Sequence, residues 1–387
     1  MNKRDELIFW FDQPPKVSLG AFNHVSKHWG NKVMYIADHG FGEHRKMINW
    51  NNSDYGDAEL VILSDLPDSD NYIKEIFEKY PNAVHIMNGF FSTIEKRLRP
   101  YIKQKNVKLV VHTERPFVSN RGFSLKQTIK NILLPIKYKI CCKKFNSYVD
   151  ALVVLGNLGK KLFESYGWNK EKVYSFMYCP VLQEIEESIE DIQLEEVKFL
   201  YVGRFNYATR GIDILMEACK NLPTDNWHFD MVGGYGDEAE EIIAWANEHE
   251  NVSFLGTWPA DDVGKNMQKY DVYVLATKAD GWNAQLNEAL NAGMGVICTD
   301  EAVSDEMVTA SGAGIVVRAV DSTALHNALK IAIENPQLVK EWKEKAKAYR
   351  HRIKGDMVGD YLIDILDYTF YDKEKKPSCP WLNMQIN

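Results

Sequence analysis

Two carboxylates border a short helical pattern in the stretch DGWNAQLNEALNAGMGVICTD, which runs from Asp280 to Asp300. Asp280 comes first, and Glu288 follows after seven intervening residues. A carboxylate accepts hydrogen bonds from adjacent hydroxyls, such as those of a ribose, and the amides that begin a helix bind anions. The stretch therefore suits a nucleotide-sugar, with Glu288 on the ribose and Asp280 on the second sugar. For Glu288 alone, an ordinary acidic helix turn is the alternative.

The residues between the two acids complete this candidate donor site. The segment 284–292 has helical spacing, and Gly293 is placed to cap its C-terminus. The strand pattern DVYVLAT precedes the turn, so the helix would begin near the carboxyl end of a strand. The donor-binding candidates in this turn and the first helical turn are Gly281, Trp282, Asn283, Ala284, Gln285 and Leu286.

Two arginines follow another candidate strand, in LYVGRFNYATRGID. Gly203 ends that strand, Arg204 comes next, and Arg210 stands just before a helical pattern. Guanidinium groups make charge-assisted, often bidentate bonds to phosphate. Together the two side chains predict a phosphate site, although either one alone would be interpreted as an ordinary surface arginine.

Two glycine-containing loops and one histidine are weaker candidates. Gly234, in MVGGYGD, and Gly20, in VSLGAFNH, would let the backbone approach a diphosphate. A simple tight turn explains Gly234 equally well, and Gly20 alone is a weak signal. His112 ends the strand pattern VKLVVHT, and it would face the same cleft if the two halves of the chain stack with these ends together. An isolated histidine is more often structural than catalytic.

Strand patterns alternate with longer helical patterns along the whole chain, which predicts parallel sheets covered by helices. The candidate strands of the first half are ELIFWF, KVMYIAD, AELVILSD, AVHIMNG, VKLVVHT and ALVVLG. Those of the second half are KFLYVGR, WHFDMVGG, VSFLGT, DVYVLAT, GVICTD and GIVVR. Two such series predict an α/β protein with two Rossmann-like domains, whose ligands bind at the carboxyl ends of the strands.

The acidic stretch PVLQEIEESIEDIQLEE separates the two series. We therefore predict domains at residues 1–180 and 197–350, joined by a linker at 181–196. Residues 351–387 are predicted to be a helical tail that packs back on the N-terminal domain.

Composition indicates a globular enzyme, with 45% hydrophobic and 26% charged residues. The six cysteines have no disulfide or zinc spacing, so a reducing cytoplasm is expected. The apolar run 7–11 is too short for a signal peptide or a membrane span, and it is typical of a first β-strand.

The net charge of −8 is unevenly distributed. Residues 96–144 hold fourteen Lys or Arg and one acid, a net of +13 that leaves −21 for the rest of the chain. Part of this basic segment, KQTIKNILLPIKYKICCKKF, also carries isoleucines, leucines and aromatic residues. The pattern favours an anionic membrane surface or an anionic acceptor, with a solvated helix as the alternative. Nucleic acid is disfavoured, because the rest of the chain is acidic and no recognition motif is present.

Taken together, these motifs resemble the retaining GT-B glycosyltransferases of family 4. YVGRFNYATRGIDILMEA is similar to that family's strand, Gly-Arg loop, Lys-Gly and helix block, and DGWNAQLNEALNAGMGVICTD is similar to its acid-x(7)-Glu motif. ALVVLGNLGKKLFESYGW resembles the end of its first domain, and VVHT resembles its donor-site histidine segment. The chain departs from the pattern at four positions: Asp280 replaces Glu, Arg210 replaces Lys, Asn283 replaces Gly or Pro, and Gly295 replaces Pro.

The resemblance implies a GT-B architecture, with an N-terminal acceptor domain and a C-terminal donor domain facing each other across a cleft. It implies transfer of a hexose-type sugar from a nucleotide-diphosphate sugar, UDP first and GDP next, with retained configuration. The acceptor would be a saccharide or a lipid-linked saccharide of bacterial surface polysaccharide synthesis. The enzyme would work in the cytoplasm or on the inner face of the plasma membrane.

The resemblance also assigns catalytic roles. Arg204, Arg210 and the helix amides would stabilise the leaving phosphate, so that no metal or other cofactor is required. Glu288 would hold the ribose, Asp280 the donor-sugar hydroxyls, and His112 the sugar near its reacting carbon.

Three other functions compete with this one. A dehydrogenase would need a G-x-G-x-x-G after its first strand, and FWFDQPPKVSLGAFNH lacks it. A non-catalytic or degenerate nucleotide-sugar binder is compatible with the departures at Asp280, Asn283 and Gly295. A nucleotide-sugar epimerase of the same fold is the third alternative.

Overall fold

The protein folds into two compact units in the computed structural model, which describes residues 4–42, 53–104, 106–116, 125–185 and 195–382. The first unit comprises Met1–Pro116, Ile132–Val181 and Lys354–Asn383. The second is built mainly on Leu182–Ile353. Within the described ranges, no helix is long and apolar enough to cross a membrane.

The first unit contains a seven-stranded parallel sheet in the order β3-β2-β1-β4-β5-β6-β7. Its strands are β1 (Leu7–Phe11), β2 (Val33–Ala37), β3 (Glu59–Ile62), β4 (Val84–Asn88), β5 (Lys108–Thr113), β6 (Ala151–Leu155) and β7 (Val173–Phe176). Every residue of β1, β2, β6 and β7 is buried. Helices cover both faces of a parallel sheet, and for this reason β1, β2 and β6 are continuous apolar runs.

Helices follow the strands of the first unit. They are α1 (Leu19–His28), α2 (Ser69–Lys79), α3 (Thr93–Ile102), α4 (Leu125–Phe145) and α5 (Gly156–Ser165). Of α4, the residues from Ile132 onward belong to this unit. Side-chain caps fix where two of them begin, because Asp68 accepts from the amide of Asn71 and Ser92 from that of Glu95.

The second unit contains a six-stranded parallel sheet in the order β10-β9-β8-β11-β12-β13. Its strands are β8 (Val197–Val202), β9 (Trp227–Val232), β10 (Val252–Phe254), β11 (Val272–Leu275), β12 (Gly295–Thr299) and β13 (Gly314–Val317). Its helices are α6 (Tyr207–Arg210), α7 (Ile212–Cys219), α8 (Ala239–Glu248), α9 (Val263–Met267), α10 (Ala284–Asn291), α11 (Asp305–Ser311), α12 (Ser322–Glu334) and α13 (Pro336–Tyr349). The strand order reverses between β8 and β11, which is where ligands bind in such sheets.

The last helix, α14 (Gly355–Phe370), returns to the first unit and packs on α1. Its two glycines make the close approach possible. A Cβ on Gly355 would clash with the carbonyl of Gly20, and one on Gly359 would lie 2.8 Å from the Cβ of His24. The helix thus packs on the N-terminal domain, whereas the short 3₁₀ turn Arg350–Ile353 belongs to the second unit.

The predicted fold class, an α/β protein with two Rossmann-like domains, is confirmed by these sheets. Strand β7 is an addition, because the sequence patterns gave no strand at 173–176. Of the predicted linker at 181–196, residues 186–194 lie outside the described residues, as do 383–387 of the tail.

Candidate functional site

The loops after β8 and β11 meet at the point where the strand order of the second sheet reverses. Contacts through Thr209 and Gly211 hold the two loops together. The carbonyl of Thr209 accepts from the hydroxyl of Thr277 at 2.7 Å and from the amide of Lys278 at 2.8 Å. Gly211 has a left-handed φ of 64°, and a Cβ there would clash with the carbonyl of Ala276. Residues distant in the sequence are thereby brought to one edge.

Arg210 and Asp280 form an ion pair at this edge, with Nη1 of the arginine donating to Oδ2 of the carboxylate. Their side chains are only 18% and 14% exposed. Burial alone would lower the pKa of Arg210, but the adjacent carboxylate outweighs it and raises the pKa. The sequence predicted a phosphate ligand and a sugar ligand acting separately, whereas the structure joins the two residues.

Two buried tyrosines, Tyr201 and Tyr273, lie beside this ion pair. Burial raises the pKa of Tyr273 well above its usual value; Tyr201, Glu288 and Asp280 add to the effect, and Arg210 opposes it. Burial likewise raises the pKa of Tyr201. Both hydroxyls therefore stay protonated at neutral pH. Glu288, Arg210 and Asp280 all act electrostatically on Tyr273, so the three charges lie around this ring. No sequence motif pointed to the two tyrosines.

The Arg204 side chain is exposed, and two hydrogen bonds hold the backbone of its loop in place. The Tyr201 hydroxyl donates to the Arg204 carbonyl at 2.7 Å, and the amide of Phe205 donates to the Tyr235 carbonyl at 2.9 Å. The Arg204 guanidinium has no ion-pair partner in the part of the chain that the structure describes. It is thus a positioned cation available to an anion.

The glycine-rich turn after β9 supports the Arg204 loop. A Cβ on Gly233 would clash with the carbonyl of Gly203, and one on Gly236 with that of Phe205. Gly234 has a φ of 101°, and a Cβ there would lie 2.9 Å from the ring of Phe254. The approach of Gly234 to a diphosphate, expected from the sequence, stays a prediction. In the structure, the missing side chains of these three glycines let the two loops pack closely against each other.

The start of α10 presents fewer amides than predicted. The Asn283 side chain accepts from the amide of Leu286 at 3.2 Å, and Asp280 Oδ1 accepts from that of Gly281 at 2.8 Å. Those two amides are therefore already occupied. Ala284 and Gln285 keep amides without an intrahelical acceptor, as the first residues of any helix do. These two amides are the ones that an anion at the helix start could reach.

The Trp282 side chain is packed inside the protein and does not line an open part of the candidate site. It is 5% exposed, and its indole N–H donates to Oδ1 of Asn287 at 3.0 Å. Asn287 is itself fully buried. This pair fixes the turn onto α10. Glu288 lies one residue further along, half-buried, on the helix that carries the two available amides.

His112 lies at the end of β5 in the first unit and lines a cavity of about 530 Å³. The cavity is also lined by Asp12, Lys16, Glu114 and Tyr178, and the Tyr178 hydroxyl donates to the Glu114 carboxylate at 2.7 Å. His112 is 5% exposed, and its Nε2 is buried with no hydrogen-bond partner among the described residues. A buried polar nitrogen of this kind costs free energy unless a ligand or a water pairs with it.

Burial lowers the pKa of His112 from 6.5 to about 4, so we expect a measurable pH effect on stability. The unfolded chain takes up this proton below pH 6.5, while the folded chain does so only near pH 4. The contribution of His112 to the free energy of unfolding is therefore fully present above pH 6.5, and it decreases as the pH drops from 6.5 to 4. Between pH 7 and 5, His112 should contribute a loss of about 2 kcal/mol in the free energy of unfolding.

Urea unfolding of wild type and of His112→Gln at both pH values measures this contribution as a difference of differences. His351→Gln is the matched control, because His351 is exposed. An unchanged pH dependence in His112→Gln would show that the imidazole is not kept neutral by burial.

Gly20 does not have the predicted position. The sequence reasoning placed it in a loop near a diphosphate, but it is the second residue of α1. Its amide donates to the carbonyl of Cys179 at 2.9 Å, and a Cβ would clash with the carbonyl of Pro180. The absence of a side chain at Gly20 therefore allows close packing within the first unit.

The basic segment 96–144 divides into two parts. Arg97 pairs with Asp38 and Asp70, and Lys108 pairs with Asp5. Arg99 likewise pairs with Glu95. These cations are neutralised internally. The lysines of α4 from 137 to 144 have no ion-pair partner in the described ranges. Residues 105 and 117–124 of the segment lie outside the described residues.

A search of the described residues finds no group of three His, Cys, Asp or Glu side chains placed to hold a metal ion. The positive charge at the candidate site comes from Arg204, Arg210 and the helix amides.

The structure is similar in fold to a glycosyltransferase from Rickettsia africae, with a TM-score of 0.67 at 17% identity, covering 96% of this chain and 100% of that one. HepE from Anabaena, solved in complex with UDP and glucose, also superposes with a TM-score of 0.67, at 15% identity, covering 94% of this chain and 99% of that one. The chain therefore has the GT-B fold. Residues 183–349 match the family described as Glycosyl transferases group 1, and this match lies within the second unit.

Two curated relatives each match a part of the chain. One is the N-acetylgalactosamine-N,N'-diacetylbacillosaminyl-diphospho-undecaprenol 4-alpha-N-acetylgalactosaminyltransferase of Campylobacter jejuni, 28% identical over 167 residues, which cover 42% of this chain and 44% of the relative. The other is the phosphatidyl-myo-inositol mannosyltransferase of Mycobacterium leprae, 30% identical over 146 residues, 36% of this chain and 38% of the relative. Each match spans less than half the length of the relative.

Proposed function

We propose that this protein is a retaining glycosyltransferase that moves a hexose-type sugar from a nucleotide-diphosphate sugar to a saccharide or lipid-linked saccharide. The observation that carries the proposal is the convergence of Arg204, Arg210, Glu288 and two helix amides at the switch point of the second sheet. Cations and amides suit a diphosphate, and a nearby carboxylate suits a ribose.

UDP is the nucleotide we favour and GDP the next, because the solved structure of HepE holds UDP and glucose. A lipid-linked acceptor of bacterial surface polysaccharide synthesis is supported by the undecaprenol diphosphate in the name of the Campylobacter relative. We place the enzyme in the cytoplasm, peripherally on the inner face of the plasma membrane, through the basic segment 96–144.

The chemistry needs charge stabilisation at the leaving group. As the glycosidic bond breaks, negative charge grows on the leaving phosphate, and Arg204 and the amides of Ala284 and Gln285 stabilise it. Arg210, oriented by Asp280, adds a second cation. Because these groups supply the positive charge, we propose that no metal is required.

The remaining polar groups orient the two substrates. Glu288 holds the ribose hydroxyls. The two oxygens of Asp280 already contact Arg210 and Gly281, but a carboxylate has about four acceptor sites, so Asp280 can also accept from a donor-sugar hydroxyl. In the first unit, we assign the cavity lined by His112 to the sugar hydroxyls near the reacting carbon. There the buried Nε2 of neutral His112 would form a hydrogen bond with one of these hydroxyls.

A thermal-shift screen with UDP, GDP, ADP and NAD tests the donor site. A ligand that binds only the folded state adds about 2.7 kcal/mol at one hundred times its Kd, which is readily measured. We expect one nucleoside diphosphate to stabilise the wild type, and Glu288→Ala to abolish the shift. Glu334→Ala, at a half-exposed glutamate on α12, is the matched control and should behave as wild type.

Other outcomes would favour a rival function. A shift with NAD alone would contradict the donor assignment. A nucleotide shift without sugar transfer to any acceptor would indicate a binding protein. Conversion of the donor sugar without an acceptor, detected by product analysis, would indicate an epimerase.

A further inference from the structure

Helix α4 has apolar side chains on two opposite sides. Its inner side packs into the core of the first unit through Cys141, Cys142 and Phe145, which are 3%, 2% and 1% exposed. Its outer side carries five aliphatic residues that remain in solvent, Ile129, Ile132, Leu133, Ile136 and Ile140, which are 48%, 65%, 51%, 52% and 62% exposed. At 3.6 residues per turn these five lie within an arc of about 100°, so they form one continuous stripe. We call this stripe the α4 outer face.

Such a surface is unusual for a helix whose other side is already in the core. Single exposed aliphatic residues are common, but a contiguous exposed apolar patch marks an interaction site. The aliphatic residues outside α4 that are more than a third exposed, such as Leu158, Leu255 and Ile331, stand on separate elements.

Lysines border the α4 outer face. The helix contains six lysines and no acid in its 21 residues. By helical spacing, Lys139 lies on one side of the stripe and Lys137 and Lys144 lie on the other, while Lys143 ends the stripe about one turn after Ile140. None of these four has an ion-pair partner within the described residues. Lys137 Nζ instead lies 4.0 Å from the centre of the Phe91 ring.

We propose that the α4 outer face inserts into the interface of an anionic lipid bilayer, with the flanking lysines on the headgroup phosphates. The aliphatic stripe matches the outer acyl region, and the lysines match the anionic surface. The inference deepens the proposed function, on which it rests for the presence of a lipid-linked acceptor. It adds that apolar insertion, and not charge alone, holds the enzyme to the membrane.

Charge argues against a second copy of this chain as the occupant. An isologous contact through the α4 outer face would set two sets of six lysines against each other with no acid on either helix. A lipid surface removes this repulsion, because its own charge is negative.

Vesicle flotation of the full chain tests the proposal, with vesicles of phosphatidylcholine alone or mixed with phosphatidylglycerol. We expect binding to the mixed vesicles, and a loss of roughly tenfold or more in the partition coefficient for Ile132→Ser/Ile136→Ser, since each substitution removes an aliphatic side chain from the apolar phase. The matched control is Ile331→Ser/Met357→Ser, at positions 40% and 38% exposed on other helices, which should bind as wild type. Lys137→Gln/Lys143→Gln should weaken binding to anionic vesicles only.

Three results would overturn the proposal. Equal binding of wild type and Ile132→Ser/Ile136→Ser would show that charge alone suffices. If wild type bound to neither kind of vesicle, the membrane would be excluded as the partner of the α4 outer face. Concentration-dependent self-association that Ile132→Ser/Ile136→Ser abolishes, measured by light scattering, would assign the face to a second copy.

The same preparations separate this proposal from the donor-site proposal. The nucleotide thermal shift of Ile132→Ser/Ile136→Ser should equal that of wild type. If wild type floats but shows no shift with any nucleotide, the donor assignment fails and the α4 outer face stands. If wild type shows a nucleotide shift but does not float, the donor assignment stands and the membrane proposal fails.

Discussion

Replacing Arg204 by alanine should lower kcat/KM for sugar transfer by roughly 100- to 1,000-fold, or about 3–4 kcal/mol of transition-state stabilisation. Arg204 is an exposed cation without an ion-pair partner among the described residues, on a loop fixed by the Tyr201 hydroxyl. Its bond to the leaving phosphate would strengthen as charge develops, so the loss should appear mainly in kcat. Steady-state kinetics with the donor identified by the nucleotide screen measures it.

Folding should be unaffected by this substitution, because the contact that fixes the loop uses the backbone carbonyl of Arg204. Arg318→Ala is the matched control, since Arg318 is an exposed arginine just after β13, the edge strand of the same sheet. Its kinetics should match wild type. A loss of less than about tenfold in Arg204→Ala would show that this guanidinium does not face the leaving group.

Much of the fold could be predicted from the sequence, because parallel strands covered on both faces are uniformly apolar. The strand pattern LIFWF is the β1 of the structure, and every one of its residues is buried. The helix predicted at 284–292 is α10, with Gly293 following it at a left-handed φ of 79°. Strand β7 was missed because it has only four residues, VYSF, too few to show a period.

The location of the candidate site could also be predicted, because it follows from strand order and loop position. The hydrogen bonds and ion pairs within the site could not be predicted. Arg210 and Asp280 are 70 residues apart, and their pairing depends on Gly211 allowing the β8 loop to contact the carbonyl of Ala276. No local pattern encodes a contact of that kind.

Glycines were the least informative residues. A glycine that admits a ligand and one that admits another backbone have the same requirement, the absence of a Cβ. Gly20 and Gly234 were assigned to a diphosphate from the sequence, and in the structure both face protein atoms, those of Pro180 and Phe254. Only the coordinates of the neighbours distinguish the two cases.

The Arg210–Asp280 pair should matter both for stability and for transfer. Asp280→Asn removes the carboxylate and leaves the Arg210 charge at a site where the side chain is only 18% exposed. Breaking a mostly buried ion pair in this way should cost about 2–3 kcal/mol of unfolding free energy. Transfer should also fall, because the guanidinium loses the group that orients it toward the phosphate.

The double variant Arg210→Met/Asp280→Asn separates these two effects. An apolar side chain of similar length replaces the buried charge, so much of the lost stability should return. Activity should stay low, since a cation is missing from the site where phosphate charge develops. Urea unfolding and steady-state kinetics on the two single variants and the double variant complete the cycle.

A second ion pair on β11 serves as the control for this cycle. Lys343 and Asp271 are 12% and 7% exposed, with 2.6 Å between Nζ and Oδ1, and Asp271 lies at the amino end of β11. Breaking that pair should destabilise the fold to a similar degree and leave kcat of the folded protein near wild type, because it lies at the opposite end of the strand from Asp280. If Arg210→Met/Asp280→Asn transfers sugar as well as wild type, the Arg210–Asp280 pair holds the two loops together and takes no part in the reaction.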